Sequence, residues 1–213
     1  MNPALLSAII SFLSLDTTVA FQILISSPIF ACPFLGLLLG DVRLGFELGF
    51  LFQLLWLGRI PAGATIIPEG NMATMIATAL ILLNKDSGYL NTTLTLVFIM
   101  GIGLSYLGAV ITIFYRKMNG KILDLIIKEA DKAHFRIIRL LEVGSMALYA
   151  LLIFLLTYSV LLTANELLPP WIQKIGRLFE EQLIIIKPTI LGIGLASIFP
   201  LIRQSIRKQK GLT

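Results

Sequence analysis

The residues best suited to bind a ligand lie where glycine, proline and ionisable side chains interrupt an apolar stretch of the sequence. The candidate substrate-binding residues of this stretch are Gln53, Trp56, Arg59, Gly63, Glu69 and Asn71. Gln53 and Trp56 are three positions apart, so they share a face if this part of the chain is helical. An amide can exchange hydrogen bonds with hydroxyl groups while an aromatic ring covers an apolar C–H surface. The pair therefore predicts a site for a sugar.

Arg59 and Glu69 are the two ionisable groups of this stretch. Ionisable side chains inside a membrane are costly and are functional by default, which favours a role for both in ligand binding. Two structural alternatives stay open: the two side chains pair with each other, or they lie at the membrane interface. Glu47 is roughly 240° from Gln53 at about 100° per helical residue, so we do not place it in the site.

The composition of the chain is that of a membrane protein. Of its 213 residues, 57% are hydrophobic and 14% are charged, and its mean hydropathy is +0.91. Soluble domains carry about a quarter charged residues. The uncharged runs 17–40, 87–115 and 143–165 each exceed the ~20 residues that a helix needs to cross the hydrocarbon core. We therefore predict an all-α, polytopic membrane protein.

Two short apolar segments flank the candidate site. As helices, segments 44–58 and 71–84 would each cover roughly 21–23 Å, which is short of the ~30 Å hydrocarbon core. With loop 59–70 between them, they predict a discontinuous or re-entrant helix pair in the amino-terminal half, its loop near the midplane. Transporters place their substrate at such breaks, where unpaired backbone groups face a ligand. We therefore assign residues 1–84 to a helix-break and substrate region.

The segments before this pair are also apolar. Residues 2–15 predict a short helix that ends at Asp16. In segment 21–40, Pro28 and Pro33 predict a kink or a helix of half the spanning length. Four glycines spaced four, five and four apart resemble the small-residue pattern that lets membrane helices approach closely, although glycine is also common in membrane helices generally. They are Gly36, Gly40, Gly45 and Gly49.

Residues 85–213 are predicted to form transmembrane helices with a cytoplasmic amphipathic helix at about 120–142. Asn119-Gly120 predicts a turn before that amphipathic helix. Basic residues crowd loop 116–139 and the tail after Ile202. Positive charge beside membrane spans marks the cytoplasmic side, so we expect the loop and the C-terminus there.

Two further segments complete the carboxy-terminal half. Pro169 and Pro170 predict a loop or an interfacial helix over residues 167–182. Residues 184–202 are apolar enough to span back, with Lys187 near one end, where a long cation can reach the interface.

The sequence also excludes several classes of site. A single cysteine, Cys32, permits no disulfide, and a single histidine, His134, argues against a metal cluster. The positive charges lie beside spans rather than on one surface, which argues against a nucleic-acid partner. We find no nucleophile paired with a base and no loop for a nucleotide cofactor, and the first apolar segment has no signal-peptide cleavage pattern. Catalytic, metal and cofactor sites are therefore not predicted.

About 55 residues, from Ser27 to Leu80, resemble the amino-terminal half of the IIC subunit of mannose-family sugar phosphotransferase systems. The residues that carry the resemblance are Pro28, Ala31, Gly36, Leu39-Gly40-Asp41, Gly45, Gly49, Leu57-Gly58, Gly63-Ala64, Pro68 with the acid after it, and Ala73. The rest of the chain resembles the family in hydropathy and loop pattern alone.

The resemblance implies a permease subunit in the bacterial inner membrane that binds and translocates a hexose-type sugar. It implies a second membrane chain, IID, and soluble IIA and IIB phosphocarriers, on which phosphoryl transfer would occur. Polar residues around the family's helix break contact the hexose; Gln53 stands where some relatives have Glu, and Glu69 stands where the family has Asp after the proline. Arg59-Ile60-Pro61 departs from the mannose-type pattern. We also expect a homo-oligomer surrounded by lipid.

Chain length opens an alternative function. Family members are typically longer, and this sequence ends soon after Ile202, so we expect it to lack a final hydrophobic hairpin. A chain of this kind could act as a non-transporting sensor or scaffold that docks soluble phosphocarriers through residues 116–142.

Overall fold

Helices make up almost all of the described part of the chain. The computed structural model describes residues 1–57 and 68–209, without the side chains of residues 200, 201 and 204–209. Within these residues there is no strand, which confirms the all-α prediction. The α-helices in chain order are α1 (Pro3–Thr18), α2 (Pro28–Leu39), α3 (Val42–Trp56), α4 (Gly70–Leu83), α5 (Leu90–Ala130), α6 (Phe135–Phe179) and α7 (Ile186–Gln209), with 3₁₀ turns at Lys85–Ser87 and Gln182–Ile185.

The first four helices are too short to cross a bilayer. They contain between 12 and 16 residues, whereas about 20 are needed. Helices α3 and α4 match the two predicted short segments to within two residues at each end. The predicted loop between them falls mostly in residues 58–67, which lie outside the described residues, so the re-entrant path stays a prediction.

Segment 21–40 forms a helix of half the spanning length, as one of the two alternatives predicted. Helix α2 begins at Pro28, whose fixed φ suits a first helical position. It ends at Gly40, which adopts the left-handed conformation at φ 79° that glycine tolerates. Pro33 lies inside the helix without ending it.

Helices α2 and α3 form a hairpin whose backbones are almost in contact. A Cβ atom at Gly45 would lie 2.6 Å from the carbonyl oxygen of Cys32, and one at Gly49 would lie 2.6 Å from that of Pro28. At Gly36 the nearest Cα across the hairpin, that of Gly45, would be 3.1 Å away. The prediction of close approach is therefore confirmed for three of the four glycines, whereas Gly40 serves the turn.

Helix α4 is the centre of the core. Met72, Ala73 and every residue from Thr74 to Leu82 are buried, as expected for a helix that is apolar all round. It packs against α1, α2, α3, α5 and α6. Its burial places the start of α4, and therefore Glu69 and Asn71, among the surrounding helices.

Three segments of the described chain are long and apolar enough to cross a membrane. They are Leu90–Ala130, Phe135–Phe179 and Gln182–Phe199. Together with the four short helices they support the predicted polytopic membrane fold.

Two predicted breaks were wrong. Helix α5 continues through Asn119-Gly120 as one helix of 41 residues, so residues 120–142 are not a separate amphipathic helix. They are the end of α5, a turn at 131–134 and the start of α6. Helix α6 likewise continues through Pro169 and Pro170 over 45 residues, because buried Leu168 and Ile172 hold the helix against the core on both sides of the prolines.

One ion pair, a lysine bound to a backbone carbonyl and a helix cap stabilise the end of the molecule opposite to the α5–α6 turn. The Lys85 Nζ donates to the carbonyl oxygen of Gly40 at 3.1 Å. Lys187 pairs with Glu47 at 2.7 Å. Glu180 accepts hydrogen bonds from the backbone N–H groups of Asn91 (2.7 Å) and Thr92 (2.9 Å), so it caps the start of α5.

Candidate functional site

Three helix ends meet at the candidate site: the start of α2, the end of α3 and the start of α4. Their neighbours along α5 are Ser105 and Thr112, since the Glu69 N–H donates to the Ser105 carbonyl oxygen at 2.9 Å and the Thr112 hydroxyl reaches the Glu69 side chain. Both positions lie in the later half of the uncharged part of α5. The site is therefore nearer to the basic end of the membrane-spanning part than to the opposite end.

Gln53 faces the start of α2. Its Oε1 accepts a hydrogen bond from the Ile29 N–H at 3.3 Å, and so partly satisfies one of the N–H groups that a helix start leaves unpaired. The Gln53 side chain is half-buried, and this is its one hydrogen bond to the described residues. Its Nε2 amide group can therefore donate to a ligand hydroxyl.

Trp56 packs on the first residue of α4. A Cβ atom at Gly70 would lie 2.4 Å from the Trp56 Cδ2 atom, so only glycine allows the indole ring to lie this close. The Trp56 Nε1–H donates to the Thr74 hydroxyl at 2.9 Å. The ring is thereby fixed against the start of α4, beside Glu69 and Asn71.

Glu69 lies between α4 and α5. The Thr112 hydroxyl donates to Glu69 Oε1 at 2.8 Å, and a Cβ at Gly108 would lie 2.8 Å from the Glu69 Cβ. Glycine at position 108 thus makes room for the Glu69 side chain. The second carboxylate oxygen, Oε2, has no hydrogen-bond partner among the described residues and can accept one from a ligand.

Asn71 is tied to the segment that precedes α2. Its Nδ2 donates to the Ser26 hydroxyl oxygen at 3.3 Å. Ser26 in turn donates to Oδ2 of Asp16 at 3.0 Å. Because Nδ2 faces Ser26, the Asn71 Oδ1 points to the other side of the amide, where it has no partner among the described residues. It can accept a hydrogen bond from a ligand.

Two predicted site residues, Arg59 and Gly63, lie outside the described residues, so their roles stay predictions. Glu47 lies six residues before Gln53 on α3 and is paired with Lys187, which agrees with its exclusion from the Gln53 face.

Sequence reasoning missed the buried acid that organises this end of the molecule. Asp16 is 3% exposed, and its Oδ1 accepts from the Ile23 N–H at 2.7 Å. Its Oδ2 accepts from both the N–H (3.1 Å) and the hydroxyl of Ser26. A signal was present, since Asp16 is the only charged side chain among the first 40 residues, and an isolated intramembrane acid predicts a function.

The segment that Asp16 holds is conformationally strained. Phe21, Gln22 and Leu24 have φ values of 64°, 54° and 68°, a region that costs non-glycine residues roughly 1–2 kcal/mol each. Strain of this kind persists where surrounding contacts fix it, and it concentrates at functional sites.

A second polar group adjoins the site on α6. Thr18 and Tyr149 share a hydrogen bond of 3.1 Å between their hydroxyl oxygens. The hydroxyl of Tyr115 lies 2.8 Å from that of Ser145, which donates to Asn119 Oδ1 at 2.6 Å. This group continues the polar layer of the site toward the basic end of the molecule.

A family comparison identifies the kind of protein in which this site lies. The family model described as the PTS system sorbose-specific IIC component matches residues 1–205. The chain belongs to this family. Its membership confirms the resemblance seen in the amino-terminal half and extends it over nearly the whole sequence.

Curated relatives of this IIC chain are phosphotransferase-system subunits. The sorbose-specific EIIC component of Klebsiella pneumoniae is 30% identical over 58% of this chain and 44% of that protein. The mannose-specific EIIC component of Escherichia coli K12 is 28% identical over the same shares. The fructose permease IIC component of Bacillus subtilis is 25% identical over 80% of this chain and 61% of that protein. The chain thus matches about half the length of the first two relatives.

Solved structures share the fold of this IIC chain. The mannose transporter ManYZ in complex with microcin E492 matches with a TM-score of 0.64 at 24% identity, over 94% of this chain and 77% of that chain. Another membrane-protein structure matches with a TM-score of 0.74 at 23% identity, over 99% and 82%. Both likenesses confirm the helical membrane architecture.

The arrangement in this IIC chain suits reversible binding of a polyhydroxylated molecule. Gln53 offers a donor, and Glu69 and Asn71 offer acceptors, while the Trp56 ring provides an apolar surface. Over residues 1–57 and 68–209 there is no group of His, Cys, Asp and Glu that could hold a metal ion.

Proposed function

We propose that this chain is a membrane-embedded IIC subunit that binds a hexose-type sugar and translocates it. The proposal is supported by the position of Gln53 in the last turn of α3 and of Glu69 and Asn71 at the start of α4, in a chain of the sorbose-type IIC family. Each of these side chains is anchored through one polar atom and retains another for a ligand. A sugar that both donates and accepts hydrogen bonds fits this set.

Each candidate residue has a distinct role in the proposed site. Gln53 donates to a sugar oxygen through Nε2, and Glu69 and Asn71 accept from sugar hydroxyls. Trp56 stacks against the apolar face of the ring. Arg59 and Gly63, in the break between α3 and α4, complete the site, with glycine allowing close approach of the backbone.

The proposed partners follow from the family. A IID-like membrane subunit completes the permease, and soluble IIA and IIB carriers supply the phosphoryl group. The chain itself is then a permease subunit and not an enzyme. We also propose that it forms a homo-oligomer and that its IIA/IIB partners work at the cytoplasmic face of the bacterial inner membrane.

The proposed orientation places the α5–α6 turn and the C-terminus in the cytoplasm. Seven Lys and Arg residues lie between Arg116 and Glu142, and α7 runs back toward that side, from Lys187 at the level of Glu47 to Ser197 at the level of Leu54. Thiol labelling of Lys132→Cys in a Cys32→Ser chain tests it: a membrane-impermeant maleimide should label inverted vesicles and spare intact cells. The reverse pattern would contradict the orientation.

Sugar transport by inverted vesicles tests the function. The vesicles contain this chain with its IID-like partner and are loaded with labelled hexoses, and IIA, IIB and phosphoenolpyruvate are supplied or withheld on the outside, which is the cytoplasmic face. We expect release of sugar phosphate on the carrier side that depends on phosphoenolpyruvate. Binding without phosphate-dependent transport would instead favour the sensor or scaffold, and absence of both would refute a sugar function.

Substitution of Gln53 tests the site directly. Gln53→Ala should weaken hexose binding at least tenfold, since it removes a donor worth about 1.4 kcal/mol, while the chain still folds. Glu47→Gln is the matched control, because Glu47 lies on another face of the same helix, paired with Lys187, and its loss should leave the sugar affinity unchanged. Equal affinities for the Gln53→Ala chain and the unaltered chain would remove Gln53 from the site.

A further inference from the structure

Asp16 occupies a position that its own helix does not favour. It lies in the last turn of α1, where a negative charge opposes the helix dipole, and it is 3% exposed. Among the described residues it has no basic partner. What the carboxylate gains is three hydrogen bonds from the segment between α1 and α2. We therefore look for the role of Asp16 in the segment between α1 and α2.

The hydroxyl of Ser26 connects Asp16 to Asn71 through two hydrogen bonds. A serine hydroxyl has one proton and two acceptor positions. That proton is directed to Asp16 Oδ2 at 3.0 Å, so the oxygen acts as an acceptor toward its other two neighbours. These are the Thr17 hydroxyl at 2.9 Å and the Asn71 Nδ2 at 3.3 Å.

The direction of the Asn71 amide follows from that arrangement. Because Ser26 can only accept on this side, Asn71 must present its NH₂ group to Ser26 and its Oδ1 to the opposite side. An amide turned by 180° would place two acceptor oxygens against each other. The carboxylate of Asp16 thus decides which atom of Asn71 faces the site, through one intervening hydroxyl.

We propose that Asp16 is a positioning residue that turns the Asn71 carbonyl oxygen toward the sugar, so that the site selects a hydroxyl donor there. This inference rests on the proposed sugar-binding function and adds to it a source of specificity. Asp16 does not touch the sugar; it acts through Ser26. A site in which Oδ1 is fixed as an acceptor discriminates against a ligand whose hydroxyl is replaced by fluorine, since fluorine cannot donate a hydrogen bond.

The experiment compares a panel of monofluorinated hexoses with the parent hexose, in membranes that contain the full chain and its IID-like partner. For one position on the ring, the unaltered chain should bind the parent at least about tenfold more tightly, the value of one good hydrogen bond. In Asp16→Asn, Ser26 is released from its role as a fixed acceptor and Asn71 can turn, so the ratio at that position should fall below about threefold.

Two further variants separate this role from a general loss of structure. Ser26→Ala retains the two backbone hydrogen bonds to Asp16 and removes the hydroxyl that joins Asp16, Thr17 and Asn71, so it should lower the same ratio. Combining Asp16→Asn with Asn71→Ala should weaken parent binding no more than Asn71→Ala does alone, because both changes act through one group. Glu47→Gln, which removes a carboxylate far from the site, should preserve the ratio.

The outcomes distinguish this inference from the function on which it rests. A fluoro-to-parent ratio that stays the same in Asp16→Asn and Ser26→Ala, or additive losses in the double variant, would overturn the inference while sugar binding stands. If the unaltered chain binds no hexose of the panel, the proposed function fails and the sugar-directed role of Asp16 fails with it. Hydrogen exchange at the Ile23 and Ser26 amides then still decides whether Asp16 holds the segment: unchanged exchange in Asp16→Asn would refute that as well.

Discussion

The contact between Trp56 and Gly70 allows a sharp test of the site geometry. In Gly70→Ala the new methyl carbon would lie 2.4 Å from Cδ2, 2.7 Å from Cγ and 2.8 Å from Cε2 of the indole. Carbon atoms in contact sit at about 3.5–4.0 Å. The indole must therefore move by roughly 1 Å, away from the start of α4.

The expected cost has two parts. Overpacking of a tight contact costs about 1–3 kcal/mol. Movement of the ring also stretches the 2.9 Å hydrogen bond from Trp56 to Thr74, which is worth about 1 kcal/mol. We expect Gly70→Ala to lower the free energy of unfolding by about 2–4 kcal/mol and to weaken hexose binding, since the stacking surface has moved.

Denaturation in detergent and tryptophan emission measure these effects. In a Trp171→Phe background, Trp56 is the remaining tryptophan, so a change in its emission reports the movement of the ring. Gly103→Ala is the matched control, because a Cβ there meets no atom within 4 Å. If Gly70→Ala and Gly103→Ala have the same stability, emission and sugar affinity, the packing argument is refuted.

Two further perturbations test the remainder of the fold. Glu180→Gln should lower the free energy of unfolding by about 1.5–3 kcal/mol, because an amide nitrogen would face the N–H donors at the start of α5. The control is Glu181→Gln at the exposed neighbouring position, which should change the free energy of unfolding by less than about 0.5 kcal/mol. Equal shifts of the denaturation midpoint in the two variants would contradict the cap. Cys32 is fully buried, so its reaction with a maleimide requires local opening of the fold. The reaction should be at least about a hundredfold slower in the folded chain than in denaturant. Rapid labelling of the folded chain would contradict the packing of α2 on α4.

Local signals mark the ends of the short helices, and the predicted apolar segments located α3 and α4 to within two residues at each end. Pro28 begins α2, Gly40 ends it, and Asp41 caps α3 through a 2.9 Å hydrogen bond to the Leu44 N–H. Each of these acts over a few residues. The same local reasoning failed at Asn119-Gly120 and at Pro169-Pro170, where the packing of α5 and α6 overrides the turn preference of Asn-Gly and the helix-breaking tendency of proline.

The helix ends that carry the candidate site were predicted from the sequence, whereas a ligand-binding role for these residues stays a prediction. Gln53 and Trp56 lie in the last turn of α3, and Glu69 and Asn71 lie at the start of α4, as the two short apolar segments indicated. Their partners were not accessible to the same reasoning, because Thr112 is 43 residues from Glu69 and Ser26 is 45 from Asn71. Glu180 lies 89 residues from the N–H group of Asn91 that it caps. No local periodicity relates positions so far apart.

The uninterrupted course of α5 has a mechanical consequence. From Thr112 to Ala130 the helix extends about 27 Å, at roughly 1.5 Å per residue, as a single rod beyond the Glu69 hydrogen bond. Such a rod is a lever: a tilt of about 5° around Thr112 displaces its charged tip by roughly 2 Å. Since no helix break separates the two, a displacement of the charged end of α5 also changes the geometry of the hydrogen bond between Thr112 and Glu69.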